Sequence, residues 1–192
     1  MKIHQLSVNY LAEQDRILVR INTAAAEEMR LWLTRRLMLG LWPLLSKLLT
    51  KHLLKLEAAG TSLDTADEGL KKMLADFRKD EFLKEADFDT PYRENQAQLL
   101  GEKPLLITDV DAAPLANGRL RLSFNERLPR APKPRSFQIE MEPKLMQGMM
   151  HLLEQALARS QWREAFAAGP VAVEDGTAGD DDASLRKPRY LN

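Results

Sequence analysis

Apolar and polar residues alternate with a period of two over three short runs near the start of the chain. Leu6, Val8 and Tyr10 share one face of residues 3–11. Ile17, Val19 and Ile21 do so in 16–22, and Met29, Leu31 and Leu33 in 29–33. Successive side chains of a strand point to opposite faces, so this alternation predicts strands with one apolar and one polar face. Polar turns such as 13–15 separate the runs, which predicts a three-stranded antiparallel meander.

At Thr34 the pattern becomes helical. Thr34 is the predicted N-cap of a helix from Arg35 to about Ala58, with Gly60 as its stop. Pro43 removes one hydrogen bond of the ladder and predicts a kink or break. Leu37, Met38, Leu39, Leu41, Trp42, Leu44 and Leu45 cover nearly every side of the first turns, which predicts a helix buried all round.

The same order returns later. Residues 105–111 form a candidate strand, and Asn117-Gly118 is a hairpin signal because both residues tolerate positive φ. Leu120, Leu122 and Phe124 alternate inward in 119–125, and Phe137, Ile139 and Met141 in 137–141. Pro143 falls at a first helical position, where a missing N–H costs nothing, and the helix is predicted to reach about Ala167. Met141, Met146, Met149 and Met150 read as core.

The two sets align without a gap. Residues 29–49 lie over 137–157 at an offset of 137 − 29 = 108, and Leu37, Met38, Gly40, Leu44, Leu45 and Leu49 recur as Leu145, Met146, Gly148, Leu152, Leu153 and Leu157. A glycine inside a helix costs about 1 kcal/mol relative to alanine. Gly40 and Gly148 are therefore expected to mark a crossing where two helices approach closely, or else to avoid a clash with their own sheet.

Between the sets, Thr65 and Glu68 form a capping-box pattern. Leu70, Met73, Leu74 and Phe77 follow at helical spacing, which predicts an amphipathic helix packed on the outside of the core. The tail 167–192 is rich in Gly, Ala and Asp and ends in a basic segment. Such a composition buries too little apolar area to offset its ordering entropy and predicts disorder.

The fold class expected is α+β, with duplicated βββα units: antiparallel meander sheets plus long helices, related by a pseudo-two-fold axis. An amphipathic helix is inserted between them and a disordered C-terminal tail follows. The division is 1–60, first unit; 61–103, helical insert or linker; 104–168, second unit; 169–192, tail. The two units are expected to share one core.

Lys+Arg and Asp+Glu each number 28, so net charge steers the chain toward no partner, and an electrostatic partner must be held by a local patch. The chain has no cysteine, which excludes disulfides, thiolate metal sites and cysteine nucleophiles and fits a reducing compartment. The first ten residues have no apolar signal core, and the most apolar run, 37–49, is too short and too charged to span a bilayer. The expected location is cytoplasmic, with no membrane partner.

The usual chemical signatures are absent. There is no G-x-S-x-G, no P-loop and no G-x-G-x-x-G, and His4, His52 and His151 form no H-x-x-x-H pair. Neither a cofactor nor a metal site is expected, and Asp109 and Asp111 read as structural.

Two regions carry candidate binding chemistry. Arg35 and Arg36 fall in the first turn of a helix, where the dipole disfavours cations. With Arg30 they make a candidate anion site; the alternative is ion pairing with Glu27 and Glu28. Residues 119–135 hold Arg119, Arg121, Arg127, Arg130, Lys133 and Arg135 against Glu126, a local charge of 6 − 1 = +5. This basic hairpin is a candidate nucleic-acid site, unless Glu140 and Glu142 on the next strand neutralise Arg119 and Arg121. Arg127, Arg130 and Arg135 have no partner evident in the sequence. Leu18 and Trp32, on the outer face of the first sheet, are interface candidates, with base stacking or cover by 61–101 as alternatives.

The function expected is a non-enzymatic macromolecular binding or assembly module, with a protein partner or self-association. The alternative is a single-stranded DNA- or RNA-binding protein that uses the basic hairpin.

Overall fold

In a computed structural model of the chain, residues 2–58, 68–94, 97–129 and 134–163 are described. The protein is mixed α+β, with two sheets and three helices among the described residues. The expected Gly60 stop, the Thr65 cap and the tail from 164 onward lie outside those residues.

The first three alternating runs become β1 (Ile3–Leu11), β2 (Arg16–Thr23) and β3 (Glu27–Thr34), an antiparallel meander. Ile17, Val19, Ile21, Met29, Leu31 and Leu33 are buried along its inner face, as the alternation predicts. Helix α1 (Arg35–Ala58) follows at once, and the Thr34 hydroxyl caps it by accepting the Leu37 N–H at 3.3 Å. Pro43 does not break it; burial of Met38 before the proline and Leu45, Leu49 and Leu53 after it holds both halves on one core.

Helix α2 (Glu68–Lys84) packs against α1 and α3, but not by the expected face. Leu70, Met73 and Phe77 are more than half exposed, while Ala75 is buried and Phe82 joins the core. Two-residue strands β4 (Ala97–Gln98) and β5 (Leu105–Leu106) then pair in parallel with β3 and extend the first sheet to five strands.

The expected strand over 105–111 is divided. Leu105–Leu106 belongs to the first sheet, and β6 (Asp109–Pro114) to the second. Between them the buried Ile107 gives its N–H to the Trp32 carbonyl at 3.0 Å, and Thr108 gives its N–H to the Asn125 carbonyl at 2.8 Å. Adjacent residues thus bond to different sheets.

The second sheet is β6–β7–β8, with β7 (Leu120–Glu126) in the centre and β8 (Arg135–Met141) outside. Gly118, at φ 77°, makes the tight turn into β7, which a side-chain-bearing residue would do under strain. Leu120, Leu122, Phe124, Ile139 and Met141 are buried as expected. Pro143 opens α3 (Pro143–Ser160), whose Met146, Met149, Met150, Leu153 and Leu157 are buried. The helix stops earlier than predicted, because Gln161 turns left-handed at φ 55°.

The order strand, strand, strand, helix thus occurs twice, and the inner registers correspond. Ile17 faces Leu33, Val19 faces Leu31 and Ile21 faces Met29; Leu120 faces Met141, Leu122 faces Ile139 and Phe124 faces Phe137. One core cluster holds residues of both sheets and of α1 and α3. Helix α3 packs on β1, and α1 packs on both β3 and β6.

Neither expectation for the glycines holds. A Cβ added at Gly40 or Gly148 would meet nothing within 4 Å, so no backbone crosses there and no sheet presses on them. Helices α1 and α3 do touch, and each glycine faces an open depression.

Just past the end of α3, Trp162 fastens the second helix to the first hairpin. It is 2 % exposed, its indole N–H donates to Asp15 Oδ1 at 2.6 Å, and its ring meets Tyr10 edge-on at 5.6 Å. Arg35 donates to its carbonyl at 3.3 Å. Trp162→Ala removes a large buried ring and leaves a cavity between the two halves, so it is expected to cost about 3 to 5 kcal/mol in urea unfolding at neutral pH.

Candidate functional site

Two depressions flank the core, each between the first turns of a long helix and the first strand of the sheet that precedes the other one. The first, a cleft of about 520 Å³, lies between α3 and β1, beside residues 85–93. Its helical wall carries Glu142, Lys144, Leu145, Gly148 and Leu152. The second, an open groove of about 620 Å³, lies between α1 and residues 106–110. Its helical wall carries Thr34, Arg36, Leu37, Gly40 and Leu44, together with Leu41. The first five of these match the five of the cleft at the offset already seen in the sequence, 142 − 34 = 108 through to 152 − 44 = 108.

The cleft is covered by the chain itself. Lys144 Nζ pairs with Glu85 Oε2 at 2.7 Å, and this ammonium holds the Glu85 carboxyl below the usual carboxylate range. The Phe88 ring lies 5.2 Å from that of His151. The Gln5 side-chain amide donates to the Pro91 carbonyl at 3.2 Å and accepts the Arg93 N–H at 3.1 Å, and Asn22 Nδ2 donates to the Arg93 carbonyl at 3.0 Å. Tyr92 reaches inward and donates its hydroxyl to the buried Glu28 at 3.1 Å, under the Arg20 guanidinium. Burial, and after it the Glu28 carboxylate, push the Tyr92 hydroxyl well above its ordinary value, so it remains a donor.

The groove is different. Leu44 is 66 % exposed on its wall, against the expectation of a helix buried all round. Arg36 is exposed at its rim and, among the described residues, faces no carboxylate within ion-pair distance. Across from it Asp109 is engaged by Asn125 Nδ2 at 2.8 Å and by Arg127 Nε at 3.4 Å.

The structure does not bring the proposed anion-site residues together. Arg35 bonds to the Trp162 carbonyl, and Arg30 pairs with Glu28 at 3.6 Å and donates to the Glu102 carbonyl at 3.0 Å. The alternative, ion pairing with Glu27 and Glu28, holds for Arg30 and fails on distance for Arg35 and Arg36. Those glutamates start β3 and the arginines follow its end, about 20 Å away at the rise of an extended strand.

The basic hairpin is largely neutralised. Arg121 pairs with Glu140 at 2.9 Å and Arg119 with Glu142 at 3.3 Å, as the cross-strand argument predicts. Arg127 and Arg135, without partners in the sequence reading, find Asp109 at 3.4 Å and Glu126 at 2.5 Å. Arg130 and Lys133 lie outside the described residues.

Leu18 and Trp32 face each other across the β2–β3 ladder, both half-buried. The insert crosses the opposite end of that outer face, over Gln5, Asn22 and Glu28, and Leu106 of β5 flanks Trp32. Among the described residues no group of three His, Asp or Glu side chains is placed to hold a metal ion, and His52 bonds to the Gly118 carbonyl at 2.9 Å. No described helix is long and apolar enough to cross a membrane. No family model, curated protein or solved structure matches the chain.

Glu126 gives this region a pH dependence. Burial pushes its carboxyl up, but the Arg135 guanidinium and the Leu106 N–H outweigh it and hold the group below its ordinary value. A depressed carboxyl stabilises the fold above the unfolded-state value of about 4.3 and stops doing so as pH falls through the folded value. Glu126→Gln is expected to cost about 1 to 2 kcal/mol at pH 7, with the gap to the parent closing below about pH 4. Urea midpoints measured across that range check it; a gap that stays constant contradicts it.

Proposed function

We propose that the chain is a non-enzymatic protein-binding module, built from one strand–strand–strand–helix unit used twice about a pseudo-two-fold axis. The duplication is supported by the constant offset of 108 between residues 29–49 and 137–157 and by the matching inner registers of the two sheets. The observation that carries the binding reading is the groove over Gly40, where a mostly exposed leucine sits in an apolar wall next to an arginine that has no carboxylate partner among the described residues. Apolar surface rimmed by charge is the usual composition of a protein interface. The nucleic-acid reading has less support, because the four described cations of the basic hairpin each face a carboxylate. The lack of cysteine supports a cytoplasmic setting.

The test is affinity capture with the tagged full chain from cells that make it, with nuclease treatment, comparing the parent with Gly40→Leu. A Cβ at position 40 meets open space, so the variant is expected to fold and to fill the groove. The expected result is a protein partner that survives nuclease and falls at least fivefold with Gly40→Leu. Retention of nucleic acid that nuclease abolishes, or a partner set indifferent to the substitution, contradicts the proposal.

A further inference from the structure

The cleft over Gly148 shows what such a wall holds. A carboxylate, Glu85, sits on Lys144, and three residues later an aromatic ring, Phe88, lies against His151. At an offset of 108 the groove over Gly40 has Arg36 in place of Lys144 and Pro43 in place of His151. A cation therefore recurs at the same place on the helical frame, and seven residues on, the exposed ring of Pro43 stands where the cleft has the His151 imidazole. In the cleft they are occupied; in the groove Arg36 faces no carboxylate among the described residues and Leu44 is 66 % exposed.

We infer that the groove over Gly40 binds a peptide segment of a partner protein that carries a carboxylate and, three residues further on, an aromatic side chain. The carboxylate pairs with Arg36, where a guanidinium can hold both of its oxygens. The ring lies over Pro43 and Leu44, and Gly40 leaves the floor deep enough to admit the chain between them.

The other wall limits the length of the segment. In the cleft the Gln5 amide, paired with Asn22, grips the backbone at Pro91 and Arg93. The corresponding pair in the second sheet is Asp109 with Asn125, and Asp109 is an acceptor already used by Asn125 and Arg127. An amide clamp is missing there, so recognition rests on the acid and the ring and ends soon after them.

This inference rests on the binding reading above and names the chemistry of its ligand. The probe is a synthetic, fluorescein-labelled peptide with the sequence of residues 84–94, KEADFDTPYRE, titrated into the full chain and read by anisotropy. Saturable binding is expected, weakened at least tenfold by Arg36→Glu or by Gly40→Leu in the protein. Replacing the peptide's glutamate at position 85 with lysine, or its phenylalanine at 88 with alanine, is expected to weaken it as much. Lys144→Glu in the protein is expected to change it less than twofold.

Absence of saturable binding overturns the inference. So does binding lost with Lys144→Glu but kept with Arg36→Glu, which places the peptide in the cleft by displacement of residues 85–93. A single-stranded oligonucleotide that binds in an Arg36-dependent way while the peptide does not also overturns it. If a partner is captured through the groove and the peptide fails to bind, the binding reading stands and this ligand chemistry falls. Thermal unfolding of each variant separates a filled groove from a lost fold, and Arg36→Glu, at an exposed position, keeps the test decisive if Gly40→Leu unfolds.

Discussion

Each sheet has one apolar face, and the helix that follows it does not cover that face alone. Helix α3 lies on β1, and α1 reaches β6, so each sheet is closed in part by the helix of the other set. The side chains between them form one cluster, from Val8 and Ile17 through Leu120 and Met141 to Trp162. Burial of apolar area is the main favourable term in folding, and here both halves contribute to the same buried cluster. The transfer of the chain from one sheet to the other at Ile107 and Thr108, and the Trp162 anchor on Asp15, are the points where that sharing becomes specific geometry.

Much of this was legible in the residues. Alternation gave the strands and their inner faces, because period two leaves no choice of side once one face must be buried. Thr34, Pro143 and Asn117-Gly118 are punctuation with a local physical cause; the cap, the helix start and the hairpin turn all form there, with positive φ at Gly118 but not at Asn117. The pairing of Arg121 with Glu140 followed from register alone.

What sequence reasoning missed depends on distant parts of the chain. Residues 105–111 look like one strand because alternation does not register a change of partner between Leu106 and Asp109. The partners of Arg127 and Arg135 come from another strand or a strand end brought close by folding. Trp162 carries no local signal that would send it to Asp15, 147 residues away. A helix crossing does not explain Gly40 and Gly148, since what they face is space rather than backbone. Leu44 is the most informative failure: an all-apolar helical turn predicts full burial, and the exposed leucine falls where the groove opens.

The claim on which the account depends is that both sheets share one core and one cooperative fate. Native-state hydrogen exchange in rising urea tests it directly, by comparing the amides of β2 with those of β7. Val19 and Leu122 are expected to exchange through the same global opening, with equal free energies and equal dependence on urea. Exchange in which one sheet opens at lower urea while the other stays protected would contradict it.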